Sequence, residues 1–306
     1  MKKYIAVVGG VNVDIGGTPF SRMLIGDSNP GRITVTPGGV GRNIAENLCR
    51  LGQQVSMVTV IGDDDNGRLI RTNCEAIGLD LSHSVTLPGE HTSTYLCLND
   101  ERGDLIGAVS DMAIYDRVTP ALIGSRMDFL RESALIVLDA NLPAETLAAI
   151  AEGTDVPIFA DPVSVKKAGR LKPIISRCTM LKPNQAEASL LTGVDIEKDD
   201  DLPRAAEVLL NAGTRYAVIS LGARGVYWND GSASGIVPCV TQSIVNTNGC
   251  GDAFLAGAVT ACLQGKALRE MCVWGQAASA ICAVSYSAVN PDMSLPLLMQ
   301  TIGSEQ

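Results

Sequence analysis

Short runs of β-branched and aliphatic residues alternate with helical patterns along the chain, and this alternation constrains the fold more than any other feature. The apolar runs predict β-strands at Tyr4–Val8, Val55–Val60, Ala134–Leu138, Val156–Ala160, Thr179–Leu181 and Tyr216–Ser220. The stretches between them predict helices at Arg42–Leu51, Gly67–Ala76, Ala144–Glu152, Gln185–Leu191, Leu202–Asn211, Asp252–Leu263 and Leu268–Val284. Apolar strands separated by helices are typical of a mostly parallel sheet covered on both faces. We therefore predict one three-layer α/β/α domain over residues 1–306.

Two regions, at about 15–36 and 92–112, do not follow this rhythm. The first is rich in Gly, Pro, Asp and Ser before an extended stretch at Arg32–Thr36. The second has an alternating stretch at Thr94–Leu98, a turn at Asn99–Gly103 and a further extended stretch at Asp104–Ser110. We predict strands outside the main sheet that form a small β-lid, because a closing lid excludes water from a bound substrate. A surface hairpin without that task fits the same pattern.

Composition restricts the class of partner. The chain carries a formal net charge of −9, and no run of Lys or Arg is available to neutralise phosphates. Nucleic acid and anionic membranes are therefore disfavoured, and we expect a small-molecule partner. Nine cysteines without CxxC spacing and only two histidines form no legible zinc site. Dispersed thiols suit a reducing cytosol, and no apolar segment is long enough to span a membrane, so we expect a cytoplasmic protein.

The segment from Asn246 to Asp252 carries the clearest chemical signal. Gly249 and Gly251 flank one small residue, Cys250, and an apolar helical pattern follows. Unpaired N–H groups at a helix start attract anions, and a bare glycine loop lets the backbone approach a phosphate closely. A carboxylate beside a bound phosphate suits removal of a proton from an attacking hydroxyl. We predict a phosphoryl-transfer site, although a glycine turn with an aspartate that complements the helix dipole fits the same residues.

Polar residues follow other predicted strands. Asn12 and Asp14 come after the first strand, and Asn141 follows another. Open α/β sheets bind ligands at the carboxyl ends of their strands, so these side chains can face hydroxyl groups of a substrate. A plain turn residue is the alternative for Asp14.

Four ordered segments together resemble the ribokinase-type carbohydrate kinases of the PfkB family. They are Gly9–Asp14, which resembles the sugar-binding strand end, Pro37–Ala45 and Asn246–Asp252, which resemble the two glycine signatures, and Leu181–Glu187, which resembles the Asn-x-x-Glu signature. The resemblance covers the chain from end to end. It implies a ribokinase-like fold, ATP as phosphate donor and Mg²⁺ as cofactor.

The resemblance also implies roles for individual residues. It implies Asp252 as general base and the backbone of Asn248, Gly249, Cys250 and Gly251 as the anion hole. It implies contacts to sugar hydroxyls for Asn12, Asp14, Gly39, Asn43 and Asn141, and contacts to the nucleotide for Asn184, Glu187, Ser220, Gly222 and Gln276. Glu187 is then expected to hold Mg²⁺ through water. On spacing alone, Asn184 and Glu187 equally fit a helix N-cap with an acidic first turn, and Gln276 fits a polar position on a buried helix.

The family resemblance further implies a monovalent cation site, such as one for K⁺, beside Asn246 and Thr247. The family pattern has Asp where this chain has Asn246, which removes a negative charge from that site. Potassium activation is therefore a weaker expectation than magnesium dependence.

Within the family, other segments resemble the pseudouridine kinases. They are Asp27–Gly31, Thr36–Asn43 with Asn246, Thr92–Leu96, Ser110–Met112 and Asp161–Ser164. This likeness implies phosphorylation of the 5′-hydroxyl of pseudouridine, with Ser93, Thr94, Tyr95 and Asp111 of the lid as candidates to read the uracil edge. The alternative for these four residues is strand polarity that faces solvent.

Other functions stay open at this point. They are phosphorylation of another nucleoside or of a free sugar such as ribose or fructose, and a non-catalytic sugar-binding regulator on the same fold. The chain has no P-loop string and no complete G-x-G-x-x-G string, which disfavours P-loop kinases and dinucleotide-binding oxidoreductases. The edges of a lid sheet can pair in a homodimer.

Overall fold

A computed structural model describes residues 4–240 and 244–303 of the chain. Its strands are β1 Ile5–Val8, β2 Asn12–Pro19, β3 Gly31–Gly38, β4 Val55–Val58, β5 Val60–Gly62, β6 Val85–Leu87, β7 Thr94–Asn99, β8 Leu105–Asp111, β9 Leu135–Asp139, β10 Ile158–Asp161, β11 Cys178–Leu181, β12 Tyr216–Ser220, β13 Val226–Asn229 and β14 Ser234–Val237. The strands predicted from apolar runs are found within about two residues of their predicted ends.

The α-helices are α1 Val40–Arg50, α2 Asp65–Ala76, α3 Pro120–Gly124, α4 Met127–Glu132, α5 Ala144–Gly153, α6 Val165–Ala168, α7 Gln185–Thr192, α8 Leu202–Asn211, α9 Cys250–Leu263, α10 Leu268–Ala283 and α11 Leu295–Gly303. Short 3-10 helices lie at Ala113–Arg117, Gly169–Arg177, Asp199–Asp201 and Gly222–Arg224. Among the described residues, no helix is both long enough and apolar enough to cross a membrane.

The central sheet has eight strands in the order β14-β13-β12-β11-β10-β9-β1-β4. The strands from β12 to β4 pair in parallel, whereas β13 and β14 add an antiparallel hairpin at one edge. The pairing aligns Val8 of β1 with Leu138 of β9, and Asp139 of β9 with Asp161 of β10. The carboxyl ends of these neighbouring strands therefore meet at one edge of the sheet, where open α/β folds bind ligands.

Side chains of the parallel strands alternate between two apolar cores. Ile5 and Val7 of β1 face one core together with residues of α1, α2, α9, α10 and α11, whereas Ala6 and Val8 face the other together with residues of α3 to α8. A strand sends successive side chains to opposite faces, so a strand buried on both faces reads as an unbroken apolar run. The predicted three-layer α/β/α arrangement is confirmed.

The lid is a separate four-stranded sheet in the order β3-β2-β7-β8. Strands β3, β7 and β8 correspond to the predicted extended stretches. Strand β2 was not predicted; it runs continuously from Asn12 through Gly16 and Gly17 to Pro19. Its glycines and polar residues hide it from an apolar pattern, and its pairing with β3 and β7 holds it in the sheet.

Two further expectations need correction. Asn12 and Asp14 do not lie at the end of the first strand, because β1 ends at Val8 and both residues belong to lid strand β2. Helix α9 begins at Cys250 rather than at Asp252, so Cys250 and Gly251 belong to its first turn. The hairpin of β13 and β14 was also not predicted, since its strands are short and one contains a glycine.

Helices α9 and α10 cross at Gly257. A Cβ atom on Gly257 would lie 2.6 Å from the carbonyl oxygen of Trp274 and 3.0 Å from Cβ of Ala278. The two helix backbones can therefore approach this closely only with glycine at the crossing.

We expect Gly257→Ala to lower the free energy of unfolding by about 1–3 kcal/mol, because the added methyl overpacks the crossing. Gly124→Ala in α3 is the matched control, since a Cβ at Gly124 meets no atom within 4 Å. That control gains helix propensity and is expected to be neutral or stabilising by up to about 1 kcal/mol. Urea unfolding midpoints measure both changes, and equal effects would contradict the packing argument.

Candidate active site

Asp252 lies in the first turn of α9 and is buried. The residue before the helix, Gly249, has φ 80°, and a Cβ there would lie 1.9 Å from the carbonyl oxygen of Ala288. Only glycine fits this position, both for its backbone conformation and for the space available. The glycine turn thus directs the first N–H groups of α9 and the Asp252 carboxylate to the same region of the molecule.

Three other carboxylate or amide groups surround this aspartate. Asn43 of α1 donates a hydrogen bond from Nδ2 to Oδ2 of Asp252 at 2.9 Å. Asp139 and Asp161, at the carboxyl ends of β9 and β10, act on Asp252 electrostatically. Burial, followed by the charge of Asp161, raises the pKa of Asp252 to about 8, although Asn43 and Lys182 oppose the shift. Asp252 is therefore a stronger base than an ordinary carboxylate.

Lys182 supplies the positive charge in this cluster. Its Nζ lies 3.2 Å from Oδ2 of Asp161, and both side chains are buried. Burial by itself lowers the pKa of Lys182, but Asp161 and Glu187 outweigh it and raise the pKa. A Cβ on Gly251 would lie 3.3 Å from this Nζ, so the ammonium group lies beside the glycine turn. Lys182 was not predicted as a site residue, although it stands directly before the Pro-Asn of the Asn-x-x-Glu segment.

A cavity of about 340 Å³ opens next to the glycine turn. Several residues that were predicted to contact a nucleotide or a phosphate line it, namely Asn184, Ser220, Gly222, Gln276, Cys250 and Gly251, together with Thr247. Lys182 and Phe254 also line it and were not predicted. Asn248 and Glu187 are not among the lining residues. The cavity is concave, apolar over much of its wall and polar at a few points, as small-molecule sites usually are.

Asn184 and Glu187 form a reciprocal capping box at the start of α7. Oδ1 of Asn184 accepts a hydrogen bond from the Glu187 N–H, and Oε2 of Glu187 accepts one from the Asn184 N–H, both at 2.9 Å. The structural alternative for this pair is therefore realised. It leaves the predicted nucleotide role possible for the amide of Asn184, because that side chain also borders the cavity.

Asn12, Asp14 and Gly39, which were predicted to contact a sugar, lie near one another where β2 pairs with the end of β3. Nδ2 of Asn12 donates to Oδ1 of Asp14 at 2.5 Å. A Cβ on Gly38 would lie 2.1 Å from Oδ2 of Asp14, and Gly39, with φ 99°, packs against the carbonyl of Gly10. Burial raises the pKa of Asp14, although Asn12 and Arg42 oppose this shift. Gly38 and Gly39, which come directly before α1, thus leave room for the polar end of lid strand β2.

Asn141 is held from three directions. Its N–H donates to Oδ1 of Asp139 at 2.9 Å, Arg170 donates to its carbonyl at 2.7 Å, and Nζ of Lys167 donates to its Oδ1 at 2.6 Å. A Cβ on Gly10 would lie 2.5 Å from Nδ2 of Asn141, so the amide nitrogen lies over the Gly10 backbone. Asn141 therefore borders the segment that leads to Asn12.

Two of the hydroxyl groups predicted to read a base, those of Ser93 and Thr94, form hydrogen bonds within the protein near the start of the lid strands. Ser93 is buried rather than facing solvent; its hydroxyl donates to the Val11 carbonyl and lies 2.8 Å from the Tyr115 hydroxyl. Oγ1 of Thr94 donates to the Thr92 carbonyl at 3.0 Å and accepts from Asn66. Asp111 and Tyr95 lie on lid strands β8 and β7, where Asp111 is exposed.

The monovalent cation site beside Asn246 and Thr247 stays a prediction; in the structure Asn246 contacts the end of α10 and the segment that follows it. Nδ2 of Asn246 donates to the Tyr286 carbonyl at 3.2 Å, and its Oδ1 accepts from the Asn248 N–H at 3.0 Å. The Asn246 N–H donates to the Ala283 carbonyl. An amide donor on the Tyr286 carbonyl competes with a cation for that oxygen, so these contacts do not favour a tight K⁺ site.

Known proteins are similar to this chain in both sequence and fold. The sequence matches the pfkB family carbohydrate kinase model over residues 2–294. The chain belongs to the pfkB family. Pseudouridine kinase of Escherichia coli strain K12 is 33% identical over 296 residues, which cover 96% of this chain and 95% of that protein. Ribokinase of Haemophilus influenzae is 27% identical over 309 residues, covering 99% and 98%.

The solved structure of ribokinase from Thermotoga maritima superposes on this pfkB-family chain with a TM-score of 0.88. It is 24% identical, and the match covers 98% of this chain and 99% of that one. The predicted ribokinase-like fold is therefore confirmed. The chain is a kinase that acts on a sugar or a nucleoside.

The raised pKa of Asp252 predicts a pH-dependent stability. An unfolded aspartate loses its proton near pH 4, whereas the folded group keeps it until about pH 8. Between these values the folded state binds the extra proton, so its stability falls as pH rises, by at most about 1.4 kcal/mol per pH unit from this group. Asp252→Asn removes the titration.

We therefore compare the free energy of unfolding of Asp252→Asn with that of the unaltered chain. We expect the difference, variant minus unaltered chain, to be larger at pH 8 than at pH 5. Urea unfolding of both proteins without nucleotide at the two pH values measures the difference. A stability difference that is the same at pH 5 and pH 8 would show that Asp252 does not carry the raised pKa.

Proposed function

We propose that this chain transfers the γ-phosphoryl group of ATP to the 5′-hydroxyl of pseudouridine. The observation that carries the proposal is the position of Asp252. Its carboxylate accepts a hydrogen bond from Asn43 of α1, the helix that follows Gly38 beside Asp14, and its own helix begins at the wall of the 340 Å³ cavity. A base between a hydroxyl-binding cluster and a nucleotide-sized cavity suits phosphoryl transfer to an alcohol.

In this proposal Asp252 accepts the proton of the attacking hydroxyl. The N–H groups from Asn248 to Gly251 face the charge that develops on the transferred phosphoryl group. Lys182, beside Gly251, adds a positive charge to the same region. Burial strengthens these interactions because the local dielectric constant is low.

We propose that Mg²⁺ is bound at this site through water. Among the residues that the structure describes, no cluster of three acidic, thiol or imidazole groups forms a cage for a metal. Mg²⁺ keeps several waters and is commonly held by one or two carboxylates and the substrate phosphates. Glu187, with Asn184, is the residue that would contact its water shell, and the ion would neutralise charge on the phosphates. Binding of K⁺ is the weaker part of the proposal, because the Asn246 amide donates to the Tyr286 carbonyl that a cation would need.

The substrate is proposed from the relatives and from the lid. The E. coli relative at 33% identity is a pseudouridine kinase, and its match extends over almost the entire length of both chains. Thr94, Tyr95 and Asp111 lie on the lid strands that pair beside Asp14, where a base attached to a ribose would lie. Phosphorylation of free ribose is the second candidate, because the ribokinase relative covers the chain equally well.

Steady-state kinetics with ATP and pseudouridine, uridine, inosine, adenosine or ribose tests the substrate. We expect kcat/KM for pseudouridine to exceed the others by about tenfold or more, since unpaired polar groups in a site built for one base are costly. A higher value for ribose or for another nucleoside would overturn the pseudouridine assignment while leaving the kinase assignment in place.

Asp252→Asn tests the chemistry. We expect kcat to fall by roughly 10²–10⁴-fold with KM for the nucleoside little changed, because the variant keeps an acceptor for Asn43 but cannot take a proton. Asp128→Asn is the matched control, since that aspartate is 97% exposed and lies on α4. Near-normal kcat in Asp252→Asn would exclude this residue as the base.

We also propose that two copies of this chain form a homodimer through their lid sheets. Ile33, Val35, Leu96, Leu98 and Val109 are exposed, and the strand registers put them on one face of the lid sheet. An apolar sheet face of this kind commonly marks a protein contact.

Ile33→Asp tests the lid contact. We expect the unaltered chain to have twice its chain mass in light scattering and Ile33→Asp to have the chain mass, because a charge is costly in an apolar interface. Ile236→Asp is the control, since Ile236 is exposed on β14 outside the lid. A monomeric unaltered chain would contradict the proposal.

A further inference from the structure

Arg42 is a buried cation in α1 that does not contact Asp252. Its Nη1 donates to the Pro37 carbonyl at 3.2 Å and to Oδ1 of Asn43 at 3.1 Å. Its Nη2 donates to Oδ1 of Asn73 at 2.7 Å and to the carboxylate of Glu46. The guanidinium group is thus fixed by acceptors from β3, from its own helix and from α2.

These contacts determine how the Asn43 amide is oriented. A guanidinium group has only donors, so the atom of Asn43 that faces Arg42 must be the acceptor Oδ1. The donor Nδ2 then points to Oδ2 of Asp252, which it meets at 2.9 Å. A flipped amide would bring its NH₂ group against the guanidinium and its oxygen against the carboxylate. Arg42 therefore leaves the amide one favourable orientation.

We propose that Arg42 is a positioning residue for Asp252, because it locks Asn43 in the orientation that donates a hydrogen bond to the carboxylate. The inference rests on the proposed role of Asp252 as base. In this proposal Asn43 stabilises the Asp252 carboxylate by a hydrogen bond, in addition to the predicted contact with the sugar.

The hydrogen bond matters because few groups favour the charged form of Asp252. Burial, Asp161 of β10 and Asp139 of β9 raise the pKa of Asp252, whereas Asn43 of α1 and Lys182 after β11 lower it. Cys282 of α10 is the further titratable group here: its hydrogen bond with Cys250, its burial and, least, the charge of Asp252 raise the pKa of its thiol. Loss of the Asn43 donor therefore shifts Asp252 toward its protonated form, which cannot act as a base.

Arg42→Met tests the inference through the pH dependence of kcat. Methionine is flexible and apolar and has no donor for Asn43. Glu46 keeps its two hydrogen bonds from Arg50, at 2.9 and 2.7 Å, so the change does not leave that carboxylate without a cation. With saturating ATP and nucleoside, we expect the acidic limb of the profile to move up by about one pH unit. The rate then falls about tenfold at pH 6 and recovers at alkaline pH.

Three variants complete the test. Arg50→Met is the matched control, because Arg50 contacts the same Glu46 but not Asn43, and its limb should stay in place. Arg42→Lys retains a donor for Oδ1 of Asn43 and should return the limb toward its normal position. Asn43→Ala should shift the limb in the same direction as Arg42→Met, and adding Arg42→Met to Asn43→Ala should cause no further shift.

Distinct outcomes separate the inference from the proposed function. An equal loss of rate at every pH in Arg42→Met, or a further shift in the double variant, would show that Arg42 does not act through Asn43. An unmoved limb in Asn43→Ala would overturn the inference even if Arg42→Met failed to fold. Failure of the proposed base is seen elsewhere, as an acidic limb that persists in Asp252→Asn.

Discussion

The parallel register of the central strands is the constraint on which the rest of this structure depends. Because β1, β9, β10 and β11 run in the same direction and end at neighbouring positions, their following residues share one edge. Asp139, Asp161 and Lys182 reach that edge from three different strands. Helix α9 then brings Asp252 to the same edge from far along the chain. No local stretch of sequence could assemble these charges by itself.

Concentrating carboxylates at one buried edge has an electrostatic cost and a chemical use. Burial, with a smaller contribution from the charge of Asp161, raises the pKa of both Asp139 and Asp252. Lys182 offsets part of the negative charge through its contact with Asp161, and Asn43 stabilises the charged form of Asp252 by a hydrogen bond. The balance of these groups determines how readily Asp252 accepts a proton. The network behind Asn43 therefore belongs to the chemistry as much as to the packing.

Much of the fold was predictable because its signals are local. A strand buried on both faces must be apolar throughout, and the helices between the strands have their own periodicity, as at α8 and β12, whose ends match the prediction. Strand β2 was missed because Gly16, Gly17 and its polar residues resemble a loop, and only pairing with β3 and β7 makes it a strand. The glycine turn before α9 was recognised because its residues are adjacent in sequence, although the helix begins two residues earlier than predicted.

Local sequence patterns were enough to predict the layered α/β class, the glycine turn with its aspartate and, through four ordered motifs, the resemblance to the pfkB family. Each of these depends on residues that are close in the chain, where spacing alone limits the backbone. Two sets of contacts are visible only in the folded structure. Asn43 donates a hydrogen bond to Asp252, 209 positions away, and the hydroxyls of Ser93 and Tyr115 donate to the Val11 carbonyl just before lid strand β2. The folded structure also places Lys182 beside Gly251. Such contacts join segments that meet only when the sheet and its covering helices have packed, so no local pattern encodes them.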